Sequence, residues 1–157
     1  MPAVLHLKPE EIDTSEKRAK VTVSIIGCGL HGIFYALSFA EAGFKVICVD
    51  TDQSIVKKLS KGNVPFVGRE VEAKLKILIK KEQMSTTNEI KNAVAKSDII
   101  IITANLRGEH KNINHTEIAS CCKQIGAALQ RESLVVYSEV VGLGLIKSTI
   151  KETIEDT

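Results

Sequence analysis

From Val21 onward, short β-branched apolar runs alternate with stretches whose apolar residues recur at helical spacing. Val23, Ile25 and Ile26 lie in a run of strand length. Lys45 to Asp50, Met84 to Thr87, Asp98 to Thr103 and Ser133 to Ser138 read the same way. After the first run, Ile33, Phe34, Leu37 and Ala40 are predicted to share one helix face, with Gly43 as the C-terminal stop. Ile55, Val56 and Leu59 mark a short helix over residues 53–60; Val71, Leu75, Leu78 and Ile79 mark a longer one over residues 69–82. Residues 62–68, with Pro65 and Phe66, form the loop between them. Asn88 is placed to cap a helix over residues 89–95, and another helix is expected from His115 to about Leu129. The last segment is amphipathic through Ile146, Ile150 and Ile154.

This alternation of strands and helices predicts an α/β fold. The expected form is one three-layer α/β/α domain of Rossmann type, with a doubly wound parallel sheet in the order 3-2-1-4-5. The run Ile99–Ile102 suits a central strand covered on both faces. The loops after residues 27, 50, 103 and 138 then surround one crevice at the carboxyl ends of the strands.

Composition narrows the picture. The 157 residues are 44% hydrophobic but only 4% aromatic, with no Trp, so the core is aliphatic. A net charge of +2, from 21 basic and 19 acidic residues, argues against a nucleic-acid partner held through phosphates. The apolar runs are strand-sized, which argues against a membrane span. The lysines of the 69–82 stretch read as a solvated face. Residues 1–20 read as a charged, partly ordered extension without a signal-peptide core, and a cytoplasmic chain is expected. Cys28, Cys48, Cys121 and Cys122 fit that compartment as reduced packing residues. No metal-ligand spacing and no nucleophile–base–acid trio stands out, so no metal site and no catalytic residue is assigned. The sequon Asn114-His115-Thr116 bears only on a secreted chain. His110 and His115 border a polar loop, where a surface role is favoured over a substrate role.

The chemistry sits in the first turn. Gly27, Gly29 and Gly32 fill G-x-G-x-x-G between a strand and a helix, with Cys28, Leu30 and His31 between them. The first glycine permits the turn, the second lets a pyrophosphate approach the backbone, and the third lets helix and strand pack closely. The free N–H groups of the helix start then face the diphosphate, with the backbone at His31 as the working group rather than its ring. Asp50 follows Gly32 by 18 residues at the end of the second strand. A carboxylate there accepts from a ribose 2′-OH and repels a 2′-phosphate, which predicts NAD rather than NADP.

These segments resemble the UDP-glucose/GDP-mannose dehydrogenase family in its N-terminal NAD-binding domain. The resemblance runs from about Val21 to the end. It rests on Ile26-Gly-Cys-Gly-Leu-His-Gly, Gly43-Phe-Lys-Val-Ile-Cys-Val-Asp-Thr-Asp, Leu59-Ser-Lys-Gly-Asn-Val-Pro-Phe, Ser97-Asp-Ile-Ile-Ile-Ile and Leu134-Val-Val-Tyr-Ser-Glu. The loop Arg107-Gly-Glu-His is most similar to the branch acting on UDP-N-acetylhexosamines, and the start is similar to archaeal members. The resemblance implies oxidation of a nucleotide sugar at C6 to a carboxylate, with two NAD and a thioester on a catalytic cysteine. It implies pyrophosphate contacts at Leu30 and His31, a ribose contact at Asp50, and later NAD contacts along Thr103, Ala104 and Glu139. The family's catalytic cysteine, lysine and substrate domain have no counterpart in this sequence. The isolated chain is therefore expected to be inactive, with the UDP-sugar and any homo-oligomer contacts carried by other parts of a full-length enzyme.

Three positions depart from the family pattern. Thr103-Ala104-Asn105 stands for Pro-Thr-Pro, Tyr137-Ser138-Glu139 for Glu-Ser-Thr, and Gly68-Arg69 for Glu-Pro. They leave a non-catalytic NAD-binding or regulatory module as an alternative. Another Rossmann dehydrogenase class is a third reading, because fold does not fix function.

Overall fold

Four consecutive isoleucines organise the sheet. In β4 (Ile99–Ile102), Ile99 and Ile101 face one side and Ile100 and Ile102 the other, as the two-residue period of a strand requires. The computed structural model describes residues 4–103, 115–139, 144 and 146–157. Its other strands are β1 (Thr22–Ile26), β2 (Lys45–Val49), β3 (Met84–Thr87) and β5 (Leu134–Tyr137). All pair in parallel, in the predicted order β3-β2-β1-β4-β5.

Helices cover both faces. Against Val23, Ile25, Cys48 and Ile101 lie α2 (Leu30–Glu41), α3 (Gln53–Leu59) and α4 (Arg69–Lys80), following the short α1 (Ser15–Arg18). Against Ile26, Val49, Ile100 and Ile102 lie α5 (Ile90–Val94) and α6 (His115–Gly126). A π-helical turn, Ile146–Lys151, leads into α7 (Glu152–Glu155) beside α6. Each fully buried Ile contributes about 1.5–3 kcal/mol, so this aliphatic sandwich carries the fold without tryptophan. One polar pair interrupts it. The hydroxyls of Ser24 and Ser97 lie 2.6 Å apart, and Ser97 donates to the Ala93 carbonyl at 2.9 Å. Ser24 therefore donates to Ser97, and both hydroxyls are satisfied.

The structure corrects several local expectations. In α2 the buried residues are Gly32, Ile33, Ala36, Leu37 and Ala40, whereas Phe34 is 47% exposed. Gly43 does follow the helix end: its N–H meets Ala40 O, the N–H of Phe44 meets Phe39 O, and the two Phe rings touch edge to face at 5.5 Å. Asn88 is not the cap of α5; its amide donates to Gln53 Oε1 at 2.7 Å, and Thr87 Oγ1 accepts the Glu89 N–H instead. Helix α6 stops at Gly126, where any side chain would run into the Ile154 backbone, and residues 127–129 close in tighter turns. Ile146 is exposed while Ile150 is buried. In the segment before β1, Arg18 donates to the carbonyls of Ile12 and Ala42, tying residues 4–20 to the end of α2. Among the described residues no helix is long and apolar enough to cross a membrane.

Candidate functional site

The crevice opens where β1 and β4 send their connections to opposite faces of the sheet, as a doubly wound topology requires. It encloses about 640 Å³ at the carboxyl ends of the strands. Its floor is the glycine turn. Gly27 has φ +108°, a conformation open to glycine, and its N–H donates to Val49 O at 2.8 Å. Gly29 is the N-cap of α2 and offers no side-chain cap. The first intrahelical donor is Ile33, to Gly29 O at 2.9 Å. The N–H groups of Leu30, His31 and Gly32 are therefore left for a ligand or water, at the positive end of the helix dipole, with no acid in the first turn to satisfy it.

The two remaining glycines do opposite things. A Cβ at Gly32 would stand 1.9 Å from Gly27 O and 2.8 Å from Thr103 Oγ1, so only hydrogen lets α2 reach β1. A Cβ at Gly29 would meet nothing within 4 Å and would project into open space.

Asp50 follows β2 and faces this turn. Its Oδ2 accepts the Cys28 N–H at 2.9 Å and its Oδ1 accepts the Asp52 N–H at 2.9 Å. Each oxygen keeps a second lone pair for a hydroxyl donor. Beside Asp50, Val49, Ile55, Ile90 and Cys121 form an apolar wall. At the other end His31 Nδ1 lies 3.3 Å from Glu139 Oε1, and Tyr35 Oη lies 2.7 Å from Ser138 Oγ, so α2 reaches across to the segment after β5.

Gly27, Cys28, Gly29, Leu30, His31, Asp50, Thr103 and Glu139 all line the crevice, and Gly32 lies behind the turn. Ala104 and the loop with Arg107, Gly108, Glu109 and His110 lie outside the described residues. Thr103 is 4% exposed and donates its hydroxyl to Gly27 O at 2.8 Å, with Ile26 O at 3.3 Å. The α6 wall escaped the sequence reading, although Glu117, Ser120, Cys121 and Gln124 form a stripe at helical spacing that could have exposed it.

The four cysteines are free and buried. Burial raises the Cys121 thiol to about 12 and the Cys122 thiol to about 11. The Cys28 thiol is raised chiefly by its hydrogen bond with Cys48, and further by burial. With raised thiols, Cys28, Cys121 and Cys122 are not poised as thiolate nucleophiles. Among the described residues no group of three or more His, Cys, Asp or Glu is placed to hold a metal ion.

Residues 21–157 match the model of the UDP-glucose/GDP-mannose dehydrogenase family, NAD binding domain. UDP-glucose 6-dehydrogenase of Rhizobium meliloti is 29% identical over 138 residues, covering 83% of this chain and 31% of that protein. UDP-N-acetyl-D-mannosamine dehydrogenase of Pyrococcus horikoshii is 21% identical over 123 residues, covering 78% of this chain and 29% of the relative. The solved GDP-mannose dehydrogenase from Pseudomonas aeruginosa superposes with a TM-score of 0.76 at 28% identity, covering 85% of this chain and 32% of that one. The chain thus spans about a third of the length of these relatives. It belongs to the UDP-glucose/GDP-mannose dehydrogenase family and carries the family's NAD binding domain.

Proposed function

We propose that this member of the family binds NAD with the pyrophosphate on the backbone N–H groups of Leu30 and His31 and the adenosine ribose on Asp50. The other half of the cofactor falls to Thr103, Ala104 and Glu139, of which Thr103 and Glu139 line the crevice. One observation carries it: an uncapped helix start at an open Gly29 and a carboxylate anchored to the same turn share one crevice. The residues fit the group. A diphosphate matches the free donors, a ribose hydroxyl matches the spare lone pairs of Asp50, and the apolar wall beside Asp50 suits a flat base. A 2′-phosphate would meet the Asp50 charge, which selects NAD over NADP.

NAD supplies the hydride acceptor when bound; this chain's residues hold and orient it. The parent activity we infer is oxidation of a UDP-sugar at C6, with a UDP-N-acetylhexosamine as substrate. The Arg107-Gly-Glu-His loop and the likeness to UDP-N-acetyl-D-mannosamine dehydrogenase support that choice. In this reading residues 21–157 are the cofactor domain, residues 1–20 are an N-terminal extension, and the substrate domain and homo-oligomer contacts belong to a longer cytoplasmic enzyme. The 157-residue chain then binds NAD without turning over a sugar.

Titration calorimetry with NAD and NADP tests the binding. NAD should bind more tightly, and Asp50→Ala should weaken NAD by roughly tenfold or more while narrowing the gap to NADP, the scale of a hydrogen bond to a charged group. Equal affinity for both cofactors in the parent chain would refute the reading. Turnover of UDP-N-acetylmannosamine by the 157-residue chain would refute the inactive-domain part of it. One observation favours the alternative of a non-catalytic module: a carboxylate, Glu139, stands across from His31 at the end assigned to the nicotinamide half.

A further inference from the structure

We infer that Thr103 is a positioning residue for cofactor selection, acting through a single peptide unit of the glycine turn. The inference rests on the reading of Asp50 as the ribose acceptor. Thr103 leaves β4 with its N–H on Ile26 O at 2.9 Å, which continues the sheet pairing and fixes its backbone beside the turn. Its hydroxyl donates to Gly27 O at 2.8 Å. The same peptide, Gly27–Cys28, presents its N–H on the opposite side to Asp50 Oδ2 at 2.9 Å. A peptide is planar, so holding its carbonyl sets the direction of its N–H. Thr103 thereby aims the N–H that anchors Asp50, although no contact joins the two side chains.

The surroundings make the hydroxyl the controlling contact. Gly27 has φ +108°, a residue with wide torsional freedom, so the peptide that follows it needs an external hold. Gly32 leaves the room in which the hydroxyl sits, since a Cβ there would come within 2.8 Å of Oγ1. Thr103 is buried, so water does not readily replace its hydroxyl.

The experiment follows the Cys28 amide in the 157-residue chain by NMR and the affinities for NAD and NADP by calorimetry. Thr103→Val keeps the shape and removes the donor; Thr103→Ala serves if the valine variant does not fold. The Cys28 amide should move upfield and exchange faster in the ligand-free protein. The Kd for NAD should rise roughly tenfold, the scale of one hydrogen bond to a charged group, while NADP binding changes less. Thr103→Ser should restore both. An unchanged Cys28 amide in Thr103→Val would overturn the inference, as would equal weakening of both cofactors that serine fails to rescue. Failure of the Asp50 reading is separable: Asp50→Ala would leave NAD affinity intact while the amide still responded to Thr103.

Discussion

Two glycines three residues apart should answer to different assays. At Gly32 an alanine methyl would lie 1.9 Å from the Gly27 carbonyl oxygen, well over 1 Å inside ordinary contact. The obstacle is backbone, so no rotamer change relieves it, and α2 has to withdraw from β1. Overpacking a well-packed core costs about 1–3 kcal/mol, and a clash with a fixed carbonyl belongs at or above the top of that range. The displaced Thr103 hydroxyl, 2.8 Å from the same methyl, adds the loss of its bond to Gly27. A total near 4 kcal/mol lowers Tm by about 8–16 °C for a domain of this size. At Gly29 the same methyl meets nothing, and the backbone φ of −72° suits alanine. Alanine is the poorer N-cap but loses less chain entropy on folding, so the net change stays within about 1 kcal/mol. In the proposed binding mode its methyl fills the space where a diphosphate reaches the donors, so NAD affinity should fall by about tenfold or more, the loss of at least one charged hydrogen bond. Urea unfolding followed by far-UV circular dichroism reads the first effect, since the chain has no Trp. Calorimetric titration with NAD reads the second. Wild-type stability in Gly32→Ala, or wild-type NAD affinity in Gly29→Ala, would refute the assignment of roles.

Two further outcomes follow from the core. Ser97→Ala removes the acceptor of Ser24 and its own bond to Ala93, so it should destabilise by about 1–3 kcal/mol in urea unfolding, and by more than Ser24→Ala, which leaves the Ser97–Ala93 bond in place. The raised Cys121 and Cys122 thiols make folding sensitive to alkali. Their protonated form is favoured in the folded state, so stability is full below pH 9 and falls as pH rises toward about 12 and about 11 respectively. Each such thiol contributes about 1.4 kcal/mol of loss per pH unit within its window. Cys121→Ala should flatten the decline measured between pH 8 and pH 11, and an equally steep decline in that variant would count against the assignment.

Much of this was readable in the chain because strand and helix carry different periods. The isoleucines of β4 and the valines of β1 and β2 announce buried strands, and the glycine triplet with Asp50 locates the switch point. Phe34 misled because hydrophobicity and proximity are separate demands. Ala36 shares the buried face with Ile33, Leu37 and Ala40, and its small side chain fits close packing, while the larger Phe34 lies off that face. Asn88 misled because an amide that can cap a helix can also bond sideways, here to the side chain of Gln53. The role of Thr103 was invisible for another reason. Its contact with Gly27 spans 76 positions and exists only because β1 and β4 lie side by side.

The contacts across the crevice also explain why its two ends differ in readiness. At the Asp50 end both carboxylate oxygens are already held by backbone N–H groups, and the turn is fixed from behind by Gly32 and Thr103. In the proposed binding mode a ribose arriving there finds its acceptor oriented, so little of the binding energy goes to ordering the site. At the other end the contacts are two exposed side-chain pairs, Tyr35 with Ser138 and His31 with Glu139, the imidazole 69% exposed and the carboxylate 18% exposed. Solvent competes for such a pair and its net stabilisation is small. Affinity should therefore reside in the adenosine half, where the protein is organised before its ligand arrives, and the opposite end should adjust to whatever the rest of the enzyme presents.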